Sequence, residues 1–129
     1  MTHARQAIDR ICVDLGVWRG TTHTQDWGFE MPDAFRTDEW LDRYLQAFTR
    51  PDYGHAERCE LFDLIIDIVN DRMRAAPQES LRIWDHVWPL MAPFFDAHRS
   101  QIEYWACLGN SLDDAFAVAG IMRKHMGTK

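Results

Sequence analysis

The stretch that decides the fold runs from Glu57 to Ala75 and reads Glu-Arg-Cys-Glu-Leu-Phe-Asp-Leu-Ile-Ile-Asp-Ile-Val-Asn-Asp-Arg-Met-Arg-Ala. Placed on a helix at about 100° per residue, its apolar side chains cover an arc of roughly 160°, which is wider than a surface helix requires. A helix with so wide an apolar arc contacts several neighbours at once. We therefore predict a central helix over 57–75, with these side chains fully buried: Leu61, Phe62, Ile65, Ile66 and Val69.

The polar side of this predicted helix carries a stripe of carboxylates. They recur at spacings of three and four residues, so like charges repel there by a few tenths of a kcal/mol per pair. Such a stripe is often only the solvated side of an amphipathic helix. Leu64, however, lies in the same sector, and an apolar residue amid polar ones is typical of a partner-binding surface. The residues expected to bind a partner are Glu57, Glu60, Asp63, Leu64, Asp67 and Asp71.

Length and charge restrict the class of protein. The chain has 129 residues, the usual size of one domain, so we expect a single helical domain over 1–129. No apolar run reaches the roughly 18 residues of a membrane span, and no secretory signal is visible, so a cytoplasmic location is expected. The net charge of −6 disfavours binding to nucleic acid and favours a basic partner. The three cysteines are far apart in the sequence, which indicates reduced thiols.

The remaining pattern predicts an all-α fold of five or six helices around the central helix at about 57–75. Alternation with a period of two never persists, so no strand is needed. The first helix should end at Gly16, Thr37 should cap the second, and Ser111 should cap the last. Pro89 and Pro93 should kink or break the helix that follows the central one.

The connection over 17–36 is long and lacks periodicity, yet it contains Trp18 and Trp27. Large aromatic side chains usually serve packing, so these indoles are expected to fill gaps in the core. The alternative is that they line an apolar ligand pocket.

No motif points to catalysis. The chain contains no Glu-x-x-His pair, no His-Glu-x-x-His, no paired Cys-x-x-Cys and no Gly-x-Ser-x-Gly elbow. We therefore assign no catalytic, cofactor-binding or metal-binding residue, and we expect a protein that is not an enzyme.

A family resemblance rests on helix order and aromatic placement from Trp40 onward. The residues that carry it are Trp40-Leu41, Tyr44-Leu45, Phe48, Glu60-Leu61, Leu64-Ile65, Tyr104-Trp105, Leu112-Asp113-Asp114-Ala115-Phe116 and Met122-Arg123. In these positions the chain resembles small all-α bacterial immunity proteins of contact-dependent growth inhibition and related polymorphic toxin systems.

The resemblance implies a function without catalysis. Such proteins bind a cognate toxin domain, often a nuclease, and neutralise it by masking or deforming its active surface. A carboxylate-rich face is compatible with that function, because it resembles the phosphate backbone that a nuclease groove binds. The alternative is a small-molecule-binding or metabolic helical domain with an aromatic pocket.

Overall fold

In a computed structural model, which describes residues 3–126 apart from the side chains of His3 and Asp114, every regular element is helical. The α-helices are α1 (His3–Leu15), α2 (Trp27–Glu30), α3 (Asp38–Phe48), α4 (His55–Ala75), α5 (Ser80–Met91), α6 (Arg99–Ala106) and α7 (Ala119–His125). Short 3-10 helices cover Asp33–Phe35, Pro77–Glu79, Ala92–His98 and Leu112–Asp114. The predicted all-α class is confirmed, with six helices longer than the single turn α2 over the described residues.

The chain divides into two compact units, Met1–Ile68 and Val69–Lys129. The boundary falls within α4, which therefore contributes residues to both units. The single domain over 1–129 stays a prediction. No helix in the described part of the chain combines the length and the apolar character that a bilayer crossing requires.

Helix α4 is the buried helix that the apolar arc predicts. Its apolar side chains are at most 1% exposed at five predicted positions, namely Leu61, Phe62, Ile65, Ile66 and Val69. Burying each large aliphatic or aromatic side chain stabilises the fold by roughly 1.5–3 kcal/mol. Arg72 and Arg74 lie in the last turn, where positive charge is favourable beside the negative end of the helix.

Several helix ends follow from local sequence. Gly16 has a φ of 69° and its N–H donates to the Cys12 carbonyl, so α1 ends as predicted. The Thr37 side chain accepts a hydrogen bond from the Trp40 N–H and caps α3, which confirms that prediction as well.

In the first unit, Tyr53 is the buried centre of an ionic network. Its ring is 3% exposed and lies between two guanidinium groups, with the Arg10 and Arg50 carbons 4.8 and 4.4 Å from the ring centroid. The Tyr53 hydroxyl donates to Asp14 at 2.7 Å, and Arg10 and Arg50 both pair with Asp52. Cation–π attraction and hydrogen bonding therefore join α1 to the turn before α4.

In the second unit, the expected interruption after the central helix is present. Pro89 lies inside α5, which ends at Met91, and the chain continues as the 3-10 helix Ala92–His98 before α6 begins. The prediction that Ser111 caps one continuous last helix is wrong. Ala115 has extended backbone (φ −105°, ψ 171°), so the 3-10 turn at Leu112–Asp114 ends there and α7 begins only at Ala119.

Candidate functional site

The predicted partner-binding stripe on α4 is not an exposed face. Leu64 is 0% exposed, so the prediction that it lies at the surface among carboxylates is wrong. The single turn α2 covers it: a Cβ added to Gly28 would lie 3.3 Å from both the Leu64 nitrogen and Cα. A side chain at position 28 would press on the helix backbone, so glycine favours this close approach of the 17–36 segment to α4.

Asp67 also has an internal role. Its carboxylate accepts a hydrogen bond from Arg36 Nη2 at 2.6 Å, and the two side chains are 13% and 10% exposed. Arg36 Nη1 donates to the Gly28 carbonyl at 3.2 Å. One guanidinium group therefore fastens the 17–36 segment to α4, and the Asp67 charge is compensated within the protein.

Glu57 stabilises the start of α4. Its carboxylate accepts from the Gly54 N–H at 2.8 Å and from Arg10 at 3.2 Å, and the side chain is 14% exposed. A glutamate three residues into a helix that bonds back to the preceding backbone N–H is half of a capping box. The position of Glu57 therefore does not support its predicted role in binding a partner.

The other three carboxylates of the stripe differ from one another in environment. Glu60 and Asp63 are half-buried, and Asp71 is exposed. Burial raises the pKa of Glu60 to about 7, with further contributions from the charges of Asp63 and Asp26. Asp26 belongs to the covering segment, and burial also raises its pKa. The stripe is therefore partly covered, and no continuous acidic surface runs along α4.

Trp27 fills a gap in the core of the first unit, as the packing interpretation predicts. It is 2% exposed, and its Nε1–H donates to the Trp18 carbonyl at 2.7 Å. The cavity that the 17–36 segment lines together with Arg5 measures about 550 Å³. Its lining contains neither indole and consists of Arg5, Arg19, Gly20, Thr21, Thr22 and Thr24.

A Cys–His contact on α4 does not have the chemistry of a nucleophile. Cys59 Sγ lies 3.2 Å from His55 Nε2, one turn apart on α4. Burial, followed by the charges of Asp63 and Glu60, raises the pKa of the Cys59 thiol to about 11. Because the thiolate is the reactive species, this cysteine is unreactive at neutral pH.

A second surface has the composition of a binding site. Among the described residues, seven large hydrophobic side chains are exposed, and three of them fall within nine positions: Tyr104 (55%), Leu108 (48%) and Leu112 (59%). The Tyr104 ring also contacts the half-buried Phe116, at 5.5 Å between centroids. We call Tyr104, Leu108, Leu112 and Phe116 the C-terminal apolar patch. Of these residues, Tyr104 and Phe116 are in ring contact, and Leu108 and Leu112 lie near them in the sequence. Contiguous exposed apolar surface is typical of interaction sites.

Arg123 holds the backbone that presents this patch. Helix α6 ends at Cys107, which has left-handed backbone with a φ of 49°. The Arg123 guanidinium donates to the Ala106 carbonyl at 2.8 Å, to that of Cys107, and to that of Asn110 at 2.8 Å. These bonds satisfy carbonyls that a helix end leaves open and place a positive charge at the negative helix end.

The patch has acidic residues on its border. Glu103 and Asp113 are both exposed, and Glu103 forms an ion pair with Arg99 at 3.5 Å. The Arg123 charge is directed at backbone carbonyls. Sequence reasoning missed this surface, although a signal was available: Leu108 and Leu112 lie on either side of Gly109-Asn110, and neither belongs to the predicted buried face of a helix.

Comparison with known proteins adds no relative from which a role could be transferred: no protein-family model, no curated protein and no solved structure matches this chain.

Proposed function

We propose that this protein is an immunity protein that binds a cognate bacterial toxin domain with a basic surface, and neutralises it by covering its active surface with the C-terminal apolar patch. The observation that carries the proposal is the concentration of exposed Tyr104, Leu108 and Leu112 within nine residues. The family resemblance noted in the sequence includes Tyr104, Leu112 and Phe116, which belong to the same patch.

The chemistry of the patch suits a protein partner. Protein interfaces commonly have an apolar centre with a polar rim, and tyrosine is enriched among the residues that dominate binding. Here Tyr104 and Leu112 supply the apolar area, and Glu103 and Asp113 supply acidic groups at the border. With a net charge of −6, the protein attracts a basic partner over distance and accelerates the encounter.

A matched pair of variants tests this proposal. Leu112→Asp introduces a charge into the patch, whereas Leu81→Asp makes the same change at an exposed leucine on α5 (69% exposed) outside it. The partner to test is the product of any toxin-like reading frame found immediately upstream of this gene. We expect wild type and Leu81→Asp to relieve growth arrest by that product on co-expression. Leu112→Asp should lose about 2 kcal/mol or more of binding free energy, roughly thirtyfold in Kd by calorimetry.

Two results would contradict the proposal. The first is that wild-type protein neither binds the toxin-like product nor relieves growth arrest. The second is that Leu112→Asp and Leu81→Asp bind equally well, which would place the interface elsewhere. Far-ultraviolet circular dichroism of both variants separates loss of binding from loss of fold.

A second candidate function is the binding of a small anionic ligand in the cavity of the first unit that Arg5 and Arg19 line. That cavity is lined by two guanidinium groups and three threonines and by no carboxylate, although the chain as a whole is acidic. Arg19 Nη2 donates to Asp9 Oδ1 at 2.9 Å, and Arg5 Nη2 forms an ion pair with the same oxygen at 3.4 Å. The Arg19 and Arg5 side chains are 58% and 38% exposed. A planar guanidinium suits phosphate geometry.

Titration with inorganic phosphate and with pyrophosphate tests this candidate. Nuclear magnetic resonance shifts should appear at the Gly20, Thr21 and Thr22 amides and disappear in Arg19→Gln. The control is Arg43→Gln, an exposed arginine that pairs with Glu39 on α3. Shifts of equal size in both variants, or none in wild type at millimolar ligand, would exclude the cavity as an anion site.

A further inference from the structure

The C-terminal end of α7 is held by one histidine among aromatic rings. The His125 ring stacks on Trp88, with centroids 3.8 Å apart and an interplanar angle of 27°. Trp84 lies 5.4 Å away and Phe95 5.8 Å away, both measured between ring centroids. Trp84 is 5% exposed and belongs to the core, whereas His125 is exposed and accessible to protons from solvent.

A hydrogen bond within this stack defines the charge state of the imidazole. The Trp84 Nε1–H donates to His125 Nε2 at 2.8 Å. An indole nitrogen can only donate, so Nε2 must be unprotonated and the single imidazole proton lies on Nδ1. Protonation would place an N–H on both nitrogens, and two donors would then face each other at 2.8 Å.

We propose that His125 is a pH-sensitive latch: as a neutral imidazole it holds α7 on α5, and its protonation releases the end of α7. Histidine is suited to this task because its charge changes between about pH 5 and 8. The device consists of one acceptor, one indole donor and one stacking partner, all within the second unit.

The groups around the latch act on the protonation of His125 in both directions. Trp84, Trp88 and Phe95 present rings to the imidazole, and a cation stacked on Trp88 would gain some cation–π attraction. The neighbouring elements carry Asp85 and His86 on α5 and Asp96 on the 3-10 helix, all three exposed. Burial, followed by the Lys124 charge, nevertheless lowers the pKa of His125 from its ordinary value of 6.5, so the neutral form is favoured overall.

Release of α7 has a consequence for the patch. Arg123 lies on the same helix, two residues before His125, and its guanidinium holds the carbonyls at the end of α6. If the last turn of α7 loosens, this clamp loosens with it, and the backbone that presents Tyr104 and Leu112 becomes less ordered. The effect on binding rests on the proposed function, and toxin binding should weaken as the pH falls below 6.5, the ordinary pKa of histidine.

Hydrogen exchange followed by nuclear magnetic resonance tests the latch without any partner. In wild-type protein, protection of the Trp84 Nε1–H and of the α7 amides should fall about tenfold or more between about pH 7.5 and 5, after correction for intrinsic exchange. His125→Gln keeps a hydrogen-bond acceptor but does not titrate. His125→Phe keeps an aromatic ring but has no acceptor and no titratable group. In both variants the fall specific to α7 should disappear. His86→Gln, an exposed histidine on α5 outside the stack, should behave as wild type.

The proposal is overturned if wild-type α7 keeps its protection at about pH 5, or if either folded His125 variant loses protection as wild type does. Should both variants unfold, titration of the His125 imidazole in wild type decides: a pKa at or above 6.5 would refute the latch. Toxin binding at the two pH values is measured separately. Absence of binding at any pH would refute the proposed function and leave the exchange result intact.

Discussion

Replacing Glu60 by glutamine should stabilise the protein at neutral and alkaline pH. The half-buried carboxylate lies near Asp63 and Asp26, and burial with these charges raises its pKa from 4.5 to about 7. At about 1.4 kcal/mol per pH unit, that rise corresponds to a ceiling of roughly 3 kcal/mol. Because Glu60 is partly exposed, solvent screening reduces the expected gain to about 1–2 kcal/mol.

The sign follows from proton binding. Between pH 4.5 and about 7 the folded protein binds the proton and the unfolded chain does not, so the free energy of unfolding falls as the pH rises. Glutamine, which is neutral throughout, removes this dependence. Wild type and Glu60→Gln should therefore be equally stable near pH 4, and the variant should be more stable above about pH 7.

Urea unfolding followed by circular dichroism at several pH values measures this difference. The control is Glu39→Gln, at an exposed residue of α3 whose side chain is 73% exposed and pairs with Arg43. That variant should show the same pH profile as wild type. A difference between wild type and Glu60→Gln that is constant with pH, or that favours wild type at about pH 8, would refute the reasoning.

Three further changes test the packing around α4, each by urea unfolding at neutral pH. Ile65→Ala should lose about 2–5 kcal/mol because the side chain is 0% exposed, and a loss below about 1 kcal/mol would contradict its central position. Gly28→Ala should lower the free energy of unfolding by about 1–3 kcal/mol, because the new methyl group would lie 3.3 Å from the Leu64 backbone. An unchanged urea midpoint would mean that the 17–36 segment shifts freely on α4. Asp67→Asn should lower the free energy of unfolding by about 2–4 kcal/mol, because the Arg36 side chain is only 10% exposed and would keep its charge without a carboxylate partner. An unchanged free energy of unfolding would show that this ion pair adds no net stability.

Two kinds of feature were predictable from the residues alone. The first is burial along α4, because the spacing of Leu61, Phe62 and Ile65 on a helix is a property of that segment. The second is the cap of a helix, because Thr37 bonds to a backbone N–H three residues away. Both depend on contacts or periodicity within a short stretch.

The C-terminal apolar patch could not be predicted from short segments of the sequence. The sequence marks Tyr104 and Leu112 only as positions that resemble immunity proteins, and it does not predict their exposure. Exposure depends on where α6 stops, and Cys107 stops it with left-handed backbone that Arg123 supports from 16 positions further along the chain. The periodicity of 94–108 favours a longer helix than the one that forms.

The all-α class and the buried central helix follow from apolar periodicity and local capping, so both can be predicted from short segments of the chain. Which polar residues remain exposed depends instead on contacts between distant segments. Leu64 and Asp67 are covered because Gly28 and Arg36, more than 30 positions earlier, pack on α4. Likewise, Trp84 donates a hydrogen bond to His125, which lies 41 positions further along the chain. Such contacts depend on chain closure over long separations, and no periodicity within one segment encodes them.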